Sequence, residues 1–456
     1  MYLRTRRRSV LLLLLGLSSA LLATADPPGP HSLGVCTFFP ANNVWNVPID
    51  KLPVDANSAA YIAAIGADKP LHPDFDSLGG GIPFITVAGS QPKAPIHFTE
   101  SPDESEAGPY PIPANAPIED GGDRHVLVVD RDNCILYELY SAAPRTDGGW
   151  DAGSGAIFDL KCNAQRPKSW TSTDAAGLPI VPGLVRLEEI QSGEITHALR
   201  FTVPHTRNAF VWPARHRASS LTDPIYPPMG QRFRLKADFD ISGFPSETQV
   251  LLRALKRYGI ILADNGSAWY ITGAPDPNWN DTDFHTLHQI LGANMEAVDE
   301  SSLMMSEDSA AAIQHPARAG RGAVDGASSS RAVTDQSSGG RPTADPCCTS
   351  SASVASGGRT FRFTLCPKTL PAGTASWGNQ IFIDPPLAAD VDFTLSSDNS
   401  ALTVPALVTV PGGSGTQIFN VTTQLVTVTT AVHVTIFYAG SSASAVLTLI
   451  PPPEVQ

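Results

Sequence analysis

The chain is poor in the residues on which several functional classes depend. Of its 456 residues only 16% are charged and 7% aromatic, and it has six cysteines and five methionines. It contains no G-x-S-x-G nucleophile elbow, no glycine-rich phosphate loop and no H-E-x-x-H run. Elbow-type serine hydrolysis, P-loop nucleotide chemistry and zincin chemistry therefore have no sequence basis. No C-x-x-C pair or His/Cys cluster has the spacing of structural zinc. The net charge of -13 is spread along the chain, which excludes the basic footprint of a nucleic-acid binder. No apolar run reaches the ~20 residues that a membrane-spanning helix needs.

What is abundant is glycine and proline, 37 and 40 residues, a composition suited to a β-rich, loop-rich secreted protein. Residues 1–25 read as a removable signal peptide. Arg4, Arg6, Arg7 and Arg8 form its basic end, Val10 to Leu22 its apolar core, and Ala23-Thr24-Ala25 its small-x-small cleavage site. Secretion to an extracellular or periplasmic space permits disulfides. Cys36, Cys134 and Cys162 fall in one half of the chain and Cys347, Cys348 and Cys366 in the other. Cys134 with Cys162 is the preferred first bridge, and Cys366 with Cys347 or Cys348 the second, though spacing alone does not fix connectivity.

The length suits two folded units: a β-rich main domain over 26–300 and a second domain over 347–456, joined by a flexible Ser/Ala/Gly-rich linker over 301–346. In the main domain, VLVV and ILYELY flank Asp130-Arg131-Asp132-Asn133 and predict a central hairpin. A second hairpin is expected around Asn265-Gly266. The clearest helix runs from Ser246 to Gly259, with Gln249 completing a capping-box pattern. These elements make the chain mainly β, its first domain a sandwich or barrel with a few short helices and α+β the fallback.

From Cys347 onward, short strand-like runs alternate with turn residues, the pattern of an immunoglobulin-like sandwich. SSDNSALTVPALVTVPGGSGTQIFNVTT resembles the Ig-like repeats that end many secreted bacterial proteins, which implies a module that spaces or tethers. In the main domain, DRHVLVVDRDNCILYELY, DAAGLPIVPGLVR, HALRFTV, PPMGQRFRLK and ALKRYGIILADNGSAWYI resemble segments of a group of secreted bacterial proteins. That resemblance brings no catalytic residue with it.

Chemistry is best sought around the hairpin, because a charge inside a core strand costs free energy unless it is paired or used. Glu138 shares a strand face with Leu136 and Tyr140, so burial should raise its pKa, as suits a general acid. With His125, His197, Asp130 and Asp174 it makes up the catalytic candidates. Asp264 is a further carboxylate beside a strand. Arg200, Arg234, Trp150 and Trp170 are the candidates for binding substrate, the cations for acidic groups and the indoles for sugar stacking. Two carboxylates would serve a glycoside hydrolase, and His with Arg a polysaccharide lyase. The same residues as internal braces would suit a non-catalytic extracellular binding protein with an Ig-like tether. A polysaccharide or cell-surface glycan is the expected partner in either case. No cofactor or metal is indicated, since His125 with Asp123 and His285 with His288 each lack a third ligand.

Overall fold

The computed structural model describes residues 31–313 and 350–451, apart from 357–358, 366–368, 372–374, 385–386 and 413–415. The expected signal peptide over 1–25, most of the expected linker and Cys347, Cys348 and Cys366 lie outside the described residues. The chain is mainly β with a few short helices. Among the described residues no sheet closes on itself, which removes the barrel alternative.

Two sheets frame the first unit. A four-stranded sheet runs Ser154–Asp159, Ile135–Tyr140, Val126–Asp130, Phe84–Val87, with only the last pair parallel. A mixed six-stranded sheet runs Met295–Ala297, Arg232–Leu235, Ile260–Asn265, Leu199–Val203, Tyr270–Thr272, His72–Asp74. The central hairpin is buried on both faces. Leu127, Val129 and Leu136 enter the main core, which the six-stranded sheet shares, while Val126, Val128 and Leu139 enter a second core with Trp150 and Tyr110. Burial on both faces explains why the strand reads VLVV rather than alternating.

Asp130 organises the hairpin turn. Its carboxylate accepts from the backbone N–H groups of Asp132 and Asn133 and from the Asn133 amide at 3.1, 3.0 and 2.8 Å. Cys134 closes the turn at a positive φ of 54° and is bonded to Cys36, Cα to Cα 5.4 Å. The expected Cys134–Cys162 bridge is therefore replaced. Cys162 is also disulfide-bonded.

The helix appears at Ser246–Arg257, but Pro245 is its N-cap and makes no side-chain cap bond. Gln249 does not complete a capping box and instead donates to the Phe244 carbonyl at 2.8 Å. Val250, Leu251, Ala254 and Leu255 form its buried stripe. Residues 301–312, read from sequence as the start of a linker, fold back as two short strands, Met304–Ser306 and Ser309–Ala312. Ala310 N–H donates to Asn163 O and Ala312 N–H to Asn42 O, and Trp212 donates to Ser309 O.

The second unit is a pair of five-stranded sheets around one core that includes Phe361, Phe363, Ile381, Phe393, Val434 and Leu447. Strand Val391–Ser397 alternates buried and exposed residues, as one covered sheet face requires.

The Cys36–Cys134 bridge closes a loop of sequence separation 98, and removing a cross-link of that reach frees a large unfolded-state entropy. The double variant Cys36→Ala/Cys134→Ala is expected to lose about 2–5 kcal/mol of stability, read as a shift of the urea unfolding midpoint against the oxidised wild type.

Candidate functional site

The segment from Ser172 to Val181 passes between the hairpin and the six-stranded sheet, and the polar groups of both converge on it. Glu138 has no solvent exposure at all. Its Oε1 accepts from the N–H groups of Ile180 and Val181 at 2.9 and 3.2 Å, and its Oε2 from the Thr173 hydroxyl at 2.8 Å. Burial pushes its pKa up to about 7, against the three donors that favour the charged form. It therefore clamps the segment and does not reach a substrate.

Thr173 also reaches His125, whose Nε2 lies 2.9 Å from the Thr173 carbonyl, while Nδ1 lies 2.5 Å from Glu119 Oε2. Both ring nitrogens face acceptors, so the ring serves best as an imidazolium. Burial opposes that charge, but the hydrogen bond and charge of Glu119 outweigh it and hold the His125 pKa above its ordinary value. In return, and again against burial, His125 holds Glu119 below the usual carboxylate value.

The next residue, Asp174, is 1% exposed and pairs with Arg200 through two bonds of 3.0 and 2.9 Å. Arg200 donates a third to Thr272 Oγ1 at 2.7 Å. Beside them stands Asp264. The parallel pairing of Leu199–Val203 with Ile260–Asn265 shifts register between Phe201 and Thr202, so that Thr202 faces Asp264. The extra residue is Ala263, whose carbonyl accepts from Ala176 N–H at 2.9 Å. This bulge re-aims Asp264 toward the Arg200 face. Asp264 is enclosed on most sides yet keeps part of its surface in solvent. Burial, with the Asp174 charge behind it, raises its pKa to about 7. Tyr140 borders the cluster with its ring 5.8 Å from that of His125.

The structure thus brings together Glu138, His125, Asp174 and Arg200. The other sequence candidates have their partners elsewhere. Asp130 serves its own turn, as described. His197 is buried against Glu189 at 3.1 Å and the Ala198 carbonyl at 2.7 Å, and stacks on His31 at 3.7 Å. Arg234 is spent on Glu296 and the carbonyls of Ile49 and Leu52. Trp150 is core, and Trp170 lies 5.6 Å from the Arg166 guanidinium. Glu119, Thr173 and Thr272 were not legible as members, because each joins through a loop or a strand pairing remote in sequence. His285 and His288 acquire a neighbour in His72, whose Nδ1 lies 2.9 Å from His288 Nε2. Among the described residues no group of three His, Cys, Asp or Glu is arranged to hold a metal ion. No helix among them is long and apolar enough to cross a membrane.

No family model matches the chain, and no curated protein matches it. Solved structures give partial likenesses. A Caenorhabditis elegans MSP family member, WR4, is 12% identical over 20% of this chain and 97% of its own, with a TM-score of 0.15. A Bacteroides ovatus GH5 xyloglucanase in complex with a heptasaccharide is 17% identical over 19% of this chain and 17% of its own, TM-score 0.14. The cupredoxin domain of amoB from Nitrosocaldus yellowstonii is 10% identical over 22% of this chain and 60% of its own, TM-score 0.13. At these scores none carries an argument about fold or function.

Because the native protein holds the Glu138 proton more tightly than an ordinary glutamate with a pKa of 4.5, stability is lost as pH rises from about 4.5 to about 7. Glu138→Gln is expected to remove up to about 3 kcal/mol of that pH dependence, measured by urea unfolding across the interval. A variant with the wild-type slope would show that the three hydrogen bonds cancel the burial effect.

Proposed function

We propose that the protein is an extracellular carbohydrate-active hydrolase whose acid–base pair is Asp264 and Glu119. The supporting observation is that two partly exposed carboxylates beside one centre are driven apart in pKa. Asp264 rises to about 7 while Glu119 falls below its ordinary value, and both feel the charges of Arg200 and His125. A neutral carboxyl beside a charged one is the division of labour that glycoside hydrolysis uses, one group protonating the leaving oxygen and the other activating water or attacking. Asp264 is then the proton donor and Glu119 the base. Asp174, Arg200, His125 and Glu138 are positioning residues, since each is buried and met by protein groups. The Cys36–Cys134 bridge and the signal-like N-terminus support an oxidising, extracellular location.

Elimination is the weaker chemistry here. A lyase needs a cation free to neutralise a uronate carboxylate, and Arg200 and Arg234 are both committed to internal carboxylates. The rival, a non-catalytic binding protein, draws on the same commitment, because the Asp174–Arg200 and Glu119–His125 pairs satisfy one another as braces would.

Screening neutral and acidic polysaccharides for released reducing ends separates the two. Asp264→Asn and Glu119→Gln are each expected to lower turnover by about 10²–10⁴. Asp264→Asn should leave the melting temperature little changed, while Glu119→Gln, which takes the carboxylate from the buried His125, should lower it. Wild-type turnover should fall as pH rises through about 7, because the donor must carry its proton. Activity that survives both substitutions would place the chemistry elsewhere, and absence of activity on every glycan would favour the binding protein.

A further inference from the structure

On the Arg232–Leu235 side of the six-stranded sheet an open hollow of about 400 Å³ is lined by Pro48, Lys51, Arg234, Leu235, Lys256 and Arg257, with Asp50 the one acid among the lining residues. The volume lies in the range of small-ligand sites, about 300–1,000 Å³. Four cations gather here in a chain whose net charge is -13. Two are neutralised locally, Lys51 by Asp50 at 3.1 Å and Arg234 by Glu296 at 2.8 Å. Lys256 and Arg257 have no carboxylate partner within ion-pair distance among the described residues.

The site is also pre-set. Arg234 is fixed by the carbonyls of Ile49 and Leu52. Lys256 donates to the carbonyls of Ala237 and Phe239 at 3.0 and 2.5 Å, so little order remains to be lost on binding. These two cations, neither of them paired with a carboxylate, end the Ser246–Arg257 helix, where its dipole favours positive charge. That dipole accounts for their place on the helix, but not for Lys51 and Arg234 arriving from two other segments to line the same hollow.

We infer that this hollow docks an anionic polysaccharide, a glycan bearing uronate or sulfate groups. Lys256 and Arg257 meet the acidic groups, Arg257 through the planar fork that matches carboxylate and sulfate oxygens, and the exposed Pro48 offers a small apolar contact beside them. The site uses none of the acid–base residues, but the choice of a glycan as the anion rests on the carbohydrate-active reading.

Titration calorimetry of the full oxidised chain tests it with an oligogalacturonate, a sulfated oligosaccharide and a neutral cello-oligosaccharide. One or both charged glycans should bind, more weakly as salt rises, and the one that binds names the acidic group. The neutral glycan should not bind. Lys51 is 91% exposed and Arg257 is also exposed, so Lys51→Glu/Arg257→Glu should leave the melting temperature unchanged and weaken binding at least about tenfold. Asp264→Asn should bind as the wild type does, which keeps this site distinct from the acid–base pair. The inference is overturned if neither charged glycan binds, if the double glutamate variant binds as well as the wild type, or if the neutral glycan binds equally.

Discussion

Glu138 is a carboxylate deprived of water, and a charge in that position persists only where protein donors replace the lost solvation. Its three donors all come from the segment between Thr173 and Val181, so the hairpin and that segment hold each other in place. The rest of the site follows from this clamp. Thr173 turns its carbonyl to His125, Asp174 meets Arg200 across the gap to the six-stranded sheet, and Ala176 docks on the bulge that aims Asp264. The polar cluster is thus a relay of commitments that starts from one buried side chain.

The arginines reveal a second economy in the fold. Arg232, fully buried, donates to the carbonyls of Val44, Val47 and Tyr258, and Arg234 to those of Ile49 and Leu52. The segment over 44–52 has little regular structure of its own, so its carbonyls need donors from elsewhere. A guanidinium with its fork of N–H groups supplies several at once. These two arginines of one strand serve as substitutes for a missing sheet neighbour.

Much of the frame was legible because its signals are local. Two apolar runs around Asp130 to Asn133 define the hairpin, and alternation within Leu136 to Tyr140 correctly puts Glu138 on the inner face. Its partners were not legible, because Thr173 lies 35 residues further along the chain and acts through tertiary contact. Asp264 could be suspected as a carboxylate ending the run IILAD, but its aim depends on a bulge, and no local pattern marks a bulge at Ala263. The helix at Ser246 shows the opposite failure. The capping-box residues are present, but Pro245 takes the cap position and moves the start by one residue. The aromatic residues misled for a general reason: tryptophan suits a sugar platform and a core equally well, and Trp45 and Trp269 are among the largest side chains sealed in the interior.

The bond between Cys36 and Cys134 makes a covalent ring of everything between them, including the strand Phe84–Val87 and the exposed stretch from Asp120 to Arg124. A protease that cuts that stretch once opens the ring without dividing the molecule. Glu119 and His125 flank the cut and belong to different fragments, yet the fragments stay tethered through the hairpin turn. The most accessible part of the site's border is therefore the part whose breakage the molecule can survive in one piece.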